Sequence, residues 1–181
     1  STTKLTALLA SGTLLGFGIA SRTLSNGSTP SATSLTGALI GIPGFAAIIF
    51  SAYGGGTAAF LAGTLMIGLG AGLFGHSTLT ATMRVAPREK VGLALGAWGS
   101  VQATAAGIGM ALAGWVRDLI VAIPGDGNGF SVETPYNVVF SMEMAFLTIA
   151  VLLVYPLAGR GGFAKATRAA ASTQSNPVEA P

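Results

Sequence analysis

The chain has 181 residues, of which 51% are hydrophobic and only 8% charged, with a mean hydropathy of +0.69. A soluble domain carries roughly 25% charged residues, so too few groups are present to wet a globular surface. The composition argues against a soluble enzyme, a nucleic-acid module and a wholly disordered chain, and for an integral membrane protein. Cysteine is absent and histidine occurs once, which removes disulfides, thiolate chemistry and a protein-ligated metal site. The net charge of +3 then reports membrane orientation rather than a polyanionic partner, and no nucleic acid is expected.

A bilayer core takes about 20 apolar residues in a helix, and the uncharged runs place five such spans in an all-α chain. Lys4 and Arg22 bound the first, over 5–21. No formal charge occurs from Thr23 to Met83, a run too long for one helix. The polar cluster at 25–31 (SNGSTPS) and the Gly54-Gly55-Gly56 turn divide it into spans over 35–53 and 57–83. Pro43 lies in the second span, where membrane helices tolerate a kink. The third has 27 uncharged residues, about 40 Å at ~1.5 Å per residue, so it must tilt or protrude. A fourth span runs over 91–116, between Lys90 and Arg117, and a fifth over 136–156 with Glu143 inside it. The helical bundle thus occupies 1–160, and 161–181 reads as a polar, disordered tail.

Basic residues set the orientation. One side holds Arg22, Arg84, Arg88, Lys90, Arg160, Lys165 and Arg168, the other Lys4 and Arg117. The richer side, including the C-terminus, is expected to be cytoplasmic, which leaves residue 1 outside. The odd number of spans and the missing initiator methionine lead to the expectation that the chain is part of something longer.

Ionisable and amide groups inside a bilayer are costly and mark candidate sites. His76 lies about 12 Å in from Arg84, Gln102 about 15 Å from either face, and Glu143 about 10 Å below the outer interface at Tyr136. His76 reads either as a ligand to a metal-centred tetrapyrrole or as an interhelical hydrogen-bond donor. Glu143 reads either as a proton-coupling or substrate group, or as a protonated or ion-paired carboxyl near Lys4 and Arg117. Gln102 is most simply an interhelical hydrogen-bonding group. Gly12/Gly16, Gly37/Gly41, Gly68/Gly72 and Gly92/Gly96 each stand four apart, a spacing that flattens one helix face for close packing. The loop carrying Arg84, Arg88, Glu89 and Lys90 offers cytoplasmic charge pairs, or acts only as a positive-inside signal. No nucleophile–base arrangement is present, so an enzyme is not expected.

The stretches GAGLFGHSTLTATMRVAP (70–87) and GLALGAWGSVQATAAGIGMALAGWVRD (92–118) resemble the PucC/LhaA family, a branch of the major facilitator superfamily in phototrophic bacteria. LGAWG (95–99) and VQATAAG (101–107) carry most of the likeness, with LTAL (5–8) and GFG (16–18) adding a weaker part. The resemblance implies the C-terminal portion of a twelve-helix fold in the inner photosynthetic membrane. It also implies an assembly factor for light-harvesting antenna complexes that binds or hands over bacteriochlorophyll. Its partners would be antenna polypeptides or a reaction-centre antenna complex, bacteriochlorophyll and lipid, and His76 would be the pigment contact. A transporter of a small solute or tetrapyrrole, and a permanent structural subunit of a photosynthetic complex, are the alternatives.

Overall fold

A computed structural model of the chain describes residues 2–123 and 133–158, and the expected tail at 161–181 lies outside them. Every regular element among the described residues is helical. The order is α1 (Thr2–Ser25), α2 (Pro30–Phe50), a π-helical segment (Ser51–Gly55), α3 (Gly56–Val85), a 3-10 turn (Arg88–Lys90), α4 (Val91–Val121) and α5 (Thr134–Ala158). Four continuous helical stretches are long and apolar enough to cross a membrane: Thr3–Ser25, Pro30–Val85, Arg88–Val121 and Thr134–Pro156.

The second of these differs from the sequence expectation of two spans separated by a turn. Its 56 residues run without coil through the glycine triplet, because a π-helical segment takes up the reversal. Gly54 (φ 126°) and Gly56 (φ 63°) adopt backbone angles that disfavour any residue with a Cβ. Beyond them the two arms lie antiparallel: Gly37 meets Gly70, and Gly44 meets Gly63. Gly54→Ala is expected to destabilise the reversal by about 1–2 kcal/mol. A lowered thermal midpoint, with faster proteolysis between α2 and α3, is the readout. An unchanged midpoint would count against a fixed turn.

The cluster at 25–31 ends one helix and starts the next through local chemistry. Gly27 (φ 92°) closes α1, with Ser28 N–H donating to the Thr23 carbonyl and Gly27 N–H to that of Leu24, at 3.2 and 3.3 Å. The Thr29 hydroxyl then accepts from Ala32 N–H at 3.3 Å, and Pro30 takes the first turn of α2. Pro43 sits inside α2 without interrupting it.

The packing inverts that of a soluble domain. The largest fully buried side chain among the described residues is Ser77, while Leu14 (69%), Leu93 (75%) and Tyr53 (75%) are exposed. Small residues fill the interior and large apolar ones face outward, as helix packing in lipid requires. The centre is α3, which presents different faces to its neighbours. Gly68 and Gly72 meet Gly12 and Gly16 of α1, which runs parallel, whereas Gly63 and Gly70 meet α2. Residues two apart point about 200° apart on a helix, so Gly68 and Gly70 serve opposite partners. Beside the α2–α3 seam, Leu147 of α5 fills the space at Gly41, and the Phe45 and Phe140 rings lie 6.3 Å apart.

Candidate functional site

Each polar residue singled out from the sequence occupies a different setting. His76 is half-buried on α3, its ring 5.9 Å from that of Phe17 on α1 at an interplanar angle of 52°. Among the described residues its imidazole makes no hydrogen bond, although its backbone carbonyl accepts from the Thr80 hydroxyl at 2.8 Å. Periodicity could not have found Phe17, which lies 59 residues away in sequence and reaches His76 only because α1 and α3 pack in parallel. Ala20 of α1, next to this pair, is completely buried. The imidazole is therefore held at a helix–helix seam, its ring nitrogens without a hydrogen-bond partner among the described residues.

Gln102 is exposed on α4, a helix with no buried residue. Residues 100–112 are exposed throughout, so α4 touches its neighbours mainly towards its ends. Near its start Trp98 Nε1 donates to the Thr78 hydroxyl of α3 at 3.4 Å, a long hydrogen bond. Near its end Arg117 pairs with Asp118 at 3.0 Å, and its guanidinium carbon lies 5.7 Å from the centre of the Tyr136 ring on α5. Loss of that stacked cation in Arg117→Ala is expected to cost about 0.5–1 kcal/mol, read as a small fall in thermal midpoint. Tyr136→Ala should show no further loss when Arg117 is already absent; fully additive losses would dissolve the pair.

Glu143 is half-buried on α5 and makes no ion pair among the described residues. Of the cations considered for it, Arg117 is engaged by Asp118 and Tyr136. Glu143 lies seven residues beyond Tyr136, about 10 Å further along the helix. The basic loop is exposed at Arg84, Arg88 and Lys90. None of the three forms an ion pair among the described residues, with Glu89 or otherwise. No group of three or more His, Asp or Glu side chains gathers among the described residues.

The glycine pairs divide sharply. A Cβ at Gly72 would overlap the Thr13 carbonyl oxygen and lie 3.0 Å from the Gly16 Cα, and one at Gly68 would overlap the Leu9 carbonyl oxygen. Among the described residues, nothing would lie within 4 Å of a Cβ at Gly92 or Gly96. Identical spacing thus serves a tight crossing in α1 and α3 and an open face in α4.

Residues 1–162 match the family described as PUCC protein. The chain is 58% identical over 163 residues to Protein PucC of Rhodobacter capsulatus, covering 89% of this chain and 35% of that protein. It is 50% identical over 156 residues to Protein PucC of Cereibacter sphaeroides, covering 86% and 34% respectively. A Rhodobacter capsulatus protein described as an uncharacterized protein in the puhA-bchM intergenic region is 41% identical over 163 residues, with 88% and 34% covered. The chain therefore spans about a third of the length of these curated relatives. No solved structure matches it. On the family match and these identities, the chain belongs to the PucC family.

Proposed function

We propose that this chain is the C-terminal, five-crossing portion of a twelve-helix major facilitator fold that serves as an assembly factor for light-harvesting antenna complexes. Family membership supports the reading. The Gly54–Gly56 reversal, which lays α2 antiparallel to α3, supports counting the long helical stretch as two crossings. The protein works in the inner photosynthetic membrane with its C-terminus in the cytoplasm, docks antenna polypeptides and handles bacteriochlorophyll. It carries out no chemistry of its own.

One observation carries the pigment part: the His76 imidazole lacks a hydrogen-bond partner among the described residues and lies against an aromatic ring. An intramembrane histidine that only tied two helices together would spend a ring nitrogen on its neighbour. A free nitrogen beside an apolar ring suits a flat, metal-centred macrocycle, with imidazole as the axial donor and Phe17 against the ring plane.

A second reading, transport of a small solute or tetrapyrrole, draws on Gln102, a mid-span amide on the open face of α4. Purification of the full-length protein from phototroph membranes, followed by an absorption spectrum and identification of co-purifying polypeptides, separates the readings. Bacteriochlorophyll with substoichiometric antenna polypeptides is the expected result. Fixed stoichiometry in a mature complex would make the protein a structural subunit, and a colourless protein without antenna partners would favour the transporter.

A further inference from the structure

We propose that the cleft between α2, α3 and α5 binds one glycerophospholipid with an anionic headgroup, its acyl chain in the cleft and its phosphate on Arg84. The proposal rests on the chain lying in a membrane and is independent of the assembly reading. At the end where α3 stops, the cleft encloses about 250 Å3 and is lined by Ser31, Ser34, Phe74, Ser77, Ala81 and Val154 among others. Three of these are serines, yet the surface is chemically apolar. The Ser34 and Ser77 hydroxyls donate to the Ser31 and Leu73 carbonyls of their own helices at 3.0 and 2.6 Å. Their protons are used within the helix, and the cleft presents carbon.

A second hollow of about 250 Å3 lies further along the same three helices, with Phe74 in its wall too and Gly41, Ala150 and Phe45 among its lining, so the two stand end to end as a trough. Ser31 and Phe45 are fourteen residues apart on α2, roughly 21 Å along its axis. One leaflet of hydrocarbon is about 15 Å deep, half of a ~30 Å core, so the trough accommodates an extended acyl chain. Gly37 and Gly70 bring the α2 and α3 backbones together along the trough, and Leu147 of α5 packs over Gly41 in its wall.

Charge identifies the headgroup. Ser77, Ala81 and Arg84 stand at i, i+4 and i+7 on α3, so they share one face, and Arg84 emerges about one turn beyond the cleft mouth. Arg84 is exposed and makes no hydrogen bond or ion pair among the described residues. Arg88 and Lys90 follow it, also exposed and unpaired among those residues. The α2 segment has no carboxylate, and Glu143 of α5 lies eleven residues from Val154, about 16 Å along the helix. Glu89 is the only described carboxylate at this end, and it is exposed. A guanidinium fork matches phosphate geometry, and the surplus of cations prefers a net negative headgroup to a zwitterionic one.

The full-length protein in nanodiscs of equal phosphatidylglycerol and phosphatidylcholine tests this by native mass spectrometry. One phosphatidylglycerol should be retained per protein, preferred over phosphatidylcholine on the order of tenfold. Arg84→Ala should abolish the preference, and Arg84→Lys should keep part of it. Ala81→Leu, which fills the mouth, should lower retention of both lipids. Arg22→Ala, which removes the same charge from α1 away from the cleft, should change neither. Equal retention of the two lipids by the parent protein overturns the proposal, whether or not every variant folds. So does an equal loss of preference in Arg22→Ala and Arg84→Ala, which would mean a diffuse field rather than a site. A photo-crosslinker at position 81 that captures a polypeptide in place of lipid overturns it as well.

Discussion

Gly16→Ala should weaken the α1–α3 crossing, whereas Gly18→Ala, two residues away on the same helix, should leave the protein as stable as the parent or slightly more so. Both substitutions gain the helix propensity that alanine holds over glycine, about 1 kcal/mol in a helix interior. They differ in what the new methyl group meets. At Gly18 the Cβ would meet nothing within 4 Å among the described residues. At Gly16 the Cβ would overlap the Leu69 carbonyl oxygen and stand 2.9 Å from the Leu73 nitrogen and 3.0 Å from the Gly72 Cα. Those obstacles are backbone atoms, which no rotamer change can move, so the two helices must separate. Overpacking costs about 1–3 kcal/mol, and because the propensity gain is common to both, the two variants should differ by about that amount. Thermal midpoints in one detergent, read by the loss of the monodisperse chromatographic peak, measure the difference. Matching midpoints would mean that α1 and α3 do not meet through Gly16 and Gly72.

His76→Ala should strip bound pigment from the full-length protein while barely altering its stability. The proposed role depends on a nitrogen donor, and alanine provides none. The fold depends little on the side chain, which is half-buried and makes one ring contact among the described residues. Surface and half-exposed changes of this kind usually stay within about 1 kcal/mol. Pigment per protein, from absorbance against total amino acid, should fall close to background in His76→Ala. Phe17→Ala, which removes the ring and keeps the nitrogen, should lower it less. An alanine variant with the parent's pigment content and thermal midpoint would remove His76 from the site and leave the family assignment untouched.

The contrast between these residues shows how much a linear reading can reach. Hydropathy is a local property, and the uncharged runs marked the chain as apolar and helical. Turn chemistry is also local. The cluster at 25–31 holds a positive-φ glycine, a capping threonine and a proline at the first helical turn, each acting on neighbours within six residues. The glycine triplet signals a reversal for the same reason, although its π-helical course does not follow from composition.

Partner choice is not local. Gly12/Gly16, Gly68/Gly72 and Gly92/Gly96 share the same spacing, yet the first two pairs meet at backbone contact and a Cβ on the third would meet nothing within 4 Å among the described residues. Their fates depend on the direction and offset with which helices pack, and those are set by all the facing side chains together. The same holds for Phe17 beside His76, for Arg117 committed to Asp118 and Tyr136, and for Arg84 above a cleft built by three helices. Apolar runs and turn clusters were legible along the chain because they depend on neighbours in sequence. Pairing between helices, as of Phe17 with His76 or Arg117 with Tyr136, became visible only in three dimensions, because close packing in lipid is a property of surfaces that no single segment contains.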